Sequence, residues 1–197
     1  MASISLATED ELSEAVGLRL AIDAGLAVHQ CFRRDGNGYL KVQIGKFCEI
    51  ARFQPVVVMT DLDRARCPAT LIETWLSGRR RPANLLVRIA VREVESWLLA
   101  DHKAIRGLLA VERFALPQEP DSLPDPKALL LRFASRAPRA VREDLLSVRG
   151  AIASQGLGYN NRLCDMVRSD WDPERASVHS PSLRRTRQRL ADLAQRL

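Results

Sequence analysis

Two aspartates close an apolar run: Pro55-Val-Val-Val-Met-Thr60 is followed at once by Asp61-Leu-Asp63. Other acids stand at similar junctions, with Glu9 after the apolar stretch Ile4 to Thr8, and Glu93 and Glu95 after Leu85 to Val91. Carboxylates gathered without matching bases repel one another unless a cation intervenes, and hard oxygen donors favour magnesium, manganese or calcium. Such an ion polarises a phosphoryl oxygen and lowers the pKa of bound water, while a second ion about 3.5–4 Å away steadies the leaving oxygen. That chemistry suits phosphodiester cleavage or transfer. The candidate catalytic carboxylates are therefore Glu9, Asp61, Asp63 and Glu93, with Glu95 and Glu14 as further candidate metal ligands and Lys41 and Arg64 as candidate phosphate contacts.

Each of these residues also has a plain structural role open to it. Asp61 and Asp63 could serve as turn and cap residues ahead of Pro68, and Glu9 could favour the positive end of a following helix. Glu93 and Glu95 lie about 200° apart on a helix, so both face one ion only where the strand-to-helix junction is irregular. Otherwise one of them pairs with Arg88 or Arg92. Trp97 reads as a core anchor, and His29, His102 and His179 have no metal-ligand spacing.

The elements that must position these residues follow from periodicity. Short apolar runs alternate with amphipathic stretches through the first half, as in a parallel sheet with crossover helices. Strands are expected at Ile4 to Thr8, Leu26 to Phe32, Pro55 to Thr60 and Leu85 to Val91. Helices are expected from Asp10 to Ile22 (with Thr8 and Glu11 as a capping box), Tyr39 to Arg52, Pro68 to Leu76 and Arg92 to Asp101. The turn Gly36-Asn-Gly38 falls between the second strand and its helix. Four prolines between Leu116 and Pro126 mark a loop, and beyond it helices are expected at Lys127 to Ala134, Ala140 to Leu146, Arg162 to Val167 and from Ser180-Pro181 to the end. The division is thus an α/β domain over 1–115, a Pro-rich loop over 116–126, and a helical extension over 127–197 packed on the same domain.

Glu9 after the first strand and Asp61-Leu-Asp63 after the third resemble the motifs of the Toprim superfamily. More closely, the stretch Ile4 to Asp101 is similar to a Toprim-like family known as the domain of unknown function 4276, whose Glu-x-Glu-Ala-Trp motif is matched by Glu93-Val-Glu-Ser-Trp97 and whose lysine-bearing turn is matched by Gly36-Asn-Gly-Tyr-Leu-Lys41. The resemblance implies a Rossmann-like central parallel sheet of about four strands flanked by helices, a Mg2+ or Mn2+ cofactor, and nuclease activity on DNA or RNA. It further implies an effector of an antiviral or toxin-like system with a partner ATPase. One departure matters: nuclease-type relatives have Glu-Gly after the first strand and a second glutamate four residues on, where this chain has Asp10 and Ser13. Either Asp10 or Glu14 is left to replace that glutamate. The rival reading is a non-catalytic Toprim-like subunit that binds or regulates an ATPase.

Composition bounds the rest. Lys and Arg outnumber Asp and Glu by 30 to 24, a net charge of +6, which favours polyanionic partners. Cys31, Cys48, Cys67 and Cys164 form no Cys-x-x-Cys pair, so reduced thiols are expected. No basic-then-apolar leader and no membrane-length apolar run is seen, so a cytoplasmic chain is expected. No Gly-Lys-Ser/Thr follows the Gly36-Asn-Gly38 turn, which speaks against ATP hydrolysis by this chain.

Overall fold

The computed structural model describes residues 2–34, 38–111, 115–147 and 154–197. Gly36 and Asn37 of the expected turn lie outside the described residues.

Valine-rich β3 (Val56–Asp61) is buried over its first five residues, because both of its faces are covered. It lies between β1 (Ser3–Thr8) and β4 (Leu85–Ala90), and β2 (Ala27–Arg33) flanks β1, giving the order β2-β1-β3-β4 with every pairing parallel. Alternate side chains feed two cores. Val57 and Met59 join Ile4 and Leu6 on one face, while Val56 and Val58 join Val87 and Ile89 on the other. Helices α2 (Tyr39–Ile50) and α3 (Pro68–Leu76) cover the second face through Leu40, Phe47 and Trp75.

The first face is covered by α1 (Glu11–Asp23) and then by the later helices: α4 (Val94–Ala100), α5 (His102–Leu109), α6 (Pro126–Ala134), α7 (Arg139–Leu145), α8 (Tyr159–Ser169), α9 (Pro173–Ser177) and α10 (Pro181–Arg196). Trp97, Tyr159, Trp171 and Leu190 belong to the same apolar cluster as Ile4 and Leu6, so the helices after the Pro-rich loop share the sheet's core. The Trp97 indole donates to Ser182 Oγ at 2.7 Å and the Trp171 indole to the Trp97 carbonyl at 3.1 Å, which satisfies the polar edge of both buried rings. Among the described residues no helix is long and apolar enough to cross a membrane.

Several expectations need correction. The α1 cap is Asp10, whose carboxylate accepts from Ser13 N at 2.7 Å, and not a Thr8–Glu11 box. Thr8 is still in the strand and buried, so the extended residue at the helix start is Asp10. The helix expected over Arg92 to Asp101 begins at Val94, and a second helix, α5, follows with Asp101 as its N-cap. The short helix α9 also had no counterpart in the periodicity, because five residues after Asp172-Pro173 give too few apolar repeats to reveal a face.

Candidate functional site

The crossover from β1 leads to β2 on one side, and β3 connects to β4 on the other, so the chain diverges between β1 and β3. At such a switch point the loops part and leave a crevice at the carboxyl ends of the strands. Glu9 is the residue after β1, and Asp61 is the last residue of β3. The Thr60 hydroxyl donates to Glu9 Oε1 at 2.7 Å and ties the two strand ends together. Burial raises the Glu9 carboxyl above its ordinary value; the Thr60 bond opposes this, and Asp63 and Asp10 add to it.

The turn after β3 is fastened to the end of β4. Leu62 N donates to the Ala90 carbonyl and Asp63 N to the Arg92 carbonyl, each at 2.9 Å. Arg92 Nη1 returns to the Asp63 carbonyl at 2.9 Å and the Ala65 carbonyl at 3.2 Å. Asp63 is thereby kept in the left-handed region, φ 49°, a conformation that aspartate tolerates better than most residues and that strain-bearing sites employ. Its side chain is exposed. Arg92 therefore braces the turn through backbone carbonyls and makes no ion pair with Glu93 or Glu95, and Arg88 donates to Thr186 instead.

Asp61 is the electrostatic centre of the group. Its carboxyl is raised well above the ordinary range, first by burial and then by Glu95, Asp10, Asp63 and Glu9. Acids from three strand ends thus act on one another, although they are far apart in sequence.

Glu93 and Glu95 meet the same region by different routes. Glu93 is the N-cap of α4 with extended backbone, φ −139°, so the 200° separation expected on a continuous helix does not apply. Its Oε2 accepts from Lys127 N at 2.9 Å. Glu95, only 5% exposed, accepts from the Tyr159 hydroxyl at 2.9 Å and has Lys127 Nζ at 4.0 Å. Burial raises both glutamates, partly offset by Lys127, and in Glu95 also by the Tyr159 bond. Lys127 Nζ also stands 5.0 Å from the centre of the Tyr159 ring.

Lys127, Tyr159 and Thr60 are absent from the residues singled out by sequence. Asp125-Pro126 marks the start of α6 and places Lys127 in its first turn, but nothing in the sequence says that this turn abuts Glu93. Glu14 is paired with Arg33 at 3.3 Å, and Asp10 is occupied as a helix cap. Lys41 is exposed and lines a groove with Trp75 and Arg79 between α2 and α3, while Arg64 is exposed on the turn after Asp61.

Among the described residues no three His, Cys, Asp or Glu side chains stand close enough to hold one metal ion. Glu9, Glu93, Glu95 and Asp10 each accept a hydrogen bond from a protein donor instead. The donor chemistry nonetheless fits a hard divalent cation, since a partly buried Asp61 is made less acidic by four other carboxylates.

Tyr159→Phe is expected to leave one oxygen of buried Glu95 without its donor, lowering stability by about 1–3 kcal/mol. Thermal unfolding checks it, and the loss should be smaller at acid pH, where Glu95 is protonated. An equal loss at all pH values would mean that the hydroxyl's contribution does not depend on an ionised Glu95.

No family model matches the chain, and no curated protein matches it in sequence. Two solved structures are similar in fold. The C-terminal region of the Burkholderia pseudomallei OLD protein is 16% identical, with 98% of each chain covered and a TM-score of 0.48. The C-terminal region of the Xanthomonas campestris pv. campestris OLD protein is also 16% identical, covering 98% of this chain and 95% of that one, with a TM-score of 0.45.

Proposed function

We propose that this chain is a Toprim-type, divalent-metal-dependent phosphoryl-transfer enzyme, a nuclease acting on DNA or RNA. The observation that carries the reading is the group of carboxylates at the β1/β3 switch point, where Thr60 ties Glu9 to the end of β3 and Asp61 is raised first by burial and then by Glu95, Asp10, Asp63 and Glu9. Charge repulsion of this kind costs stability in a fold that has no use for it, and strongly shifted groups in a crevice mark functional sites.

In this reading Asp61, Asp63 and Glu9 hold Mg2+ or Mn2+, with Glu93 or Glu95 completing the set. When bound, the ion supplies an activated water and neutralises charge on the phosphoryl oxygens. The chain's own residues orient that site. Thr60 holds the Glu9 carboxylate, Arg92 fixes the Asp63 turn, and Tyr159 directs Glu95. Lys127, beside both glutamates, brings a positive charge to phosphate, a place that sequence reading gave to Lys41 or Arg64. Activity with a partner ATPase in an antiviral or toxin-like system rests on the motif resemblance alone.

A second reading, a non-catalytic subunit, is favoured by the carboxylates' engagement with protein donors. The test is cleavage of plasmid and single-stranded substrates by the purified chain with magnesium or manganese, against Asp61→Ala and Asp63→Ala. Metal-dependent products from the wild type alone support the nuclease; equal activity in all three proteins would remove it.

A further inference from the structure

Strand β4 is an outer strand of the sheet, and its sequence Leu85-Leu-Val-Arg-Ile-Ala90 carries one charge among apolar residues. A guanidinium placed there is costly unless an anion meets it. Arg88 is half-buried, and its hydrogen bond is to a neutral group, from Nε to Thr186 Oγ1 of α10 at 3.3 Å. Among the described residues no carboxylate forms an ion pair with it.

Its charged neighbours are of its own sign. Burial, then Arg189, Arg185 and Arg81, push the Arg88 guanidinium down to about 10, which still leaves it charged at neutral pH. Arg185 and Arg189 lie one turn apart on α10, a spacing at which like charges repel. The acid close by is Asp192, 3.4 Å from Arg189 and also bonded by Gln188. Arg88 and Arg185 line one crevice with Ser182 and Pro68, between β4, α3 and α10. Arg81, whose charge acts on Arg88, lines a second groove with Arg79, Arg80 and the Arg52–Glu49 ion pair.

We propose that the open side of β4 and the facing side of α10 bind the phosphate backbone of a nucleic-acid duplex, with Arg88 as anchor and Arg185, Arg189 and Arg81 around it. Guanidinium groups match phosphate oxygens in forked pairs, and a cluster in which Asp192 meets Arg189 alone leaves an excess of positive charge for such oxygens. A chain of phosphates suits the run of charge better than one small anion does. The aromatic content of 5% offers few platforms for splayed bases, which favours a duplex over a single strand. This surface shares no residue with the carboxylate group and rests on the nuclease reading only in stating where substrate lies; binding there requires no metal and no cleavage.

The test measures anisotropy of a short labelled duplex in EDTA over a range of salt, with the wild type, Arg185→Gln/Arg189→Gln, Arg88→Gln and, as a control of equal charge change, Lys103→Gln on the exposed side of α5. The double variant should bind at least about tenfold more weakly at low salt, with the log–log salt slope reduced by about 1.8 for two lost phosphate contacts. Arg88→Gln should weaken binding too, and Lys103→Gln, away from this surface, should leave the affinity within about twofold. Wild-type affinity and slope in the double variant would overturn the proposal. So would a wild type that ignores the duplex, or that binds polyglutamate equally well through the same arginines. Arginine-dependent binding in EDTA, together with no products in the separate magnesium and manganese cleavage assay, would keep this surface and remove the nuclease reading, so the two fail separately.

Discussion

Asp61→Asn should abolish metal-dependent cleavage, by more than the factor of about 10–100 that loss of a metal site's supporting residues produces, while leaving the fold intact. Asn has the shape of Asp and keeps a carbonyl oxygen, but it lacks the charge that opposes a divalent ion. The same substitution has a second readout that does not depend on turnover. The Asp61 and Glu9 carboxyls are raised in the folded protein, so the folded state binds protons more tightly than the unfolded chain does. In metal-free protein their contribution is fully present below the ordinary carboxylate range and is lost as pH rises through the raised values. Melting temperature in EDTA should therefore fall as pH climbs out of the carboxylate range toward neutrality, and added Mg2+ or Mn2+ should restore it by binding the ionised form. In Asp61→Asn the fall with pH should shrink and the gain from metal should largely vanish. A wild type whose melting temperature ignores both pH and metal would sink the cation-site reading, whatever the cleavage assay returns.

Asp101→Ala should give the largest loss of stability, about 3–5 kcal/mol, because it removes a buried acceptor shared by two backbone N–H groups and a guanidinium. The Asp101 side chain is fully buried and caps α5 through Ala104 N. It also accepts from Asp172 N at 2.8 Å and from the Arg175 guanidinium, at 2.9 Å through Nε. One carboxylate thus joins the α4–α5 junction to α9, and its loss orphans two backbone N–H groups and leaves Arg175 with Asp172 and the Asp170 carbonyl. For a chain of this size the loss corresponds to a fall in melting temperature of roughly 6–20 °C. Adding Arg175→Leu to Asp101→Ala should recover part of it, since it removes the half-buried charge left without the Asp101 carboxylate. A double mutant at the sum of the single losses would mean that the caps, and not the ion pair, carry the effect.

The strand-by-strand order and the helix positions of the first half were legible because each apolar run is bounded by turn residues and both periods repeat cleanly. The helix Pro68–Leu76 agrees with the expected span to about Leu76, since proline at its first turn and Gly78 with the Arg79-Arg80-Arg81-Pro82 run beyond its end are local signals. Asp10 was harder, because a Thr-x-x-Glu box and an Asp cap overlap in the same few residues. Only the depth of Thr8 in the strand separates them.

The residue types of the candidate site were likewise present in the sequence: carboxylates after the first, third and fourth strands, in an alternation that implies a parallel sheet. What local sequence cannot encode is which groups arrive from a distance. Lys127 reaches Glu93 and Glu95 across the Pro-rich loop, and Tyr159 reaches Glu95 from α8, because α6 and α8 pack on the core that α4 helps to form. Arg92 turned to carbonyls because the β3 turn ends beside it, an outcome of strand register and not of charge. The sequence by itself determined the acids and the edge to which they belong, since both follow from short-range periodicity. Tertiary packing alone decided their partners and their altered acidity, because burial and the approach of distant charges exist only once the chain has closed on itself.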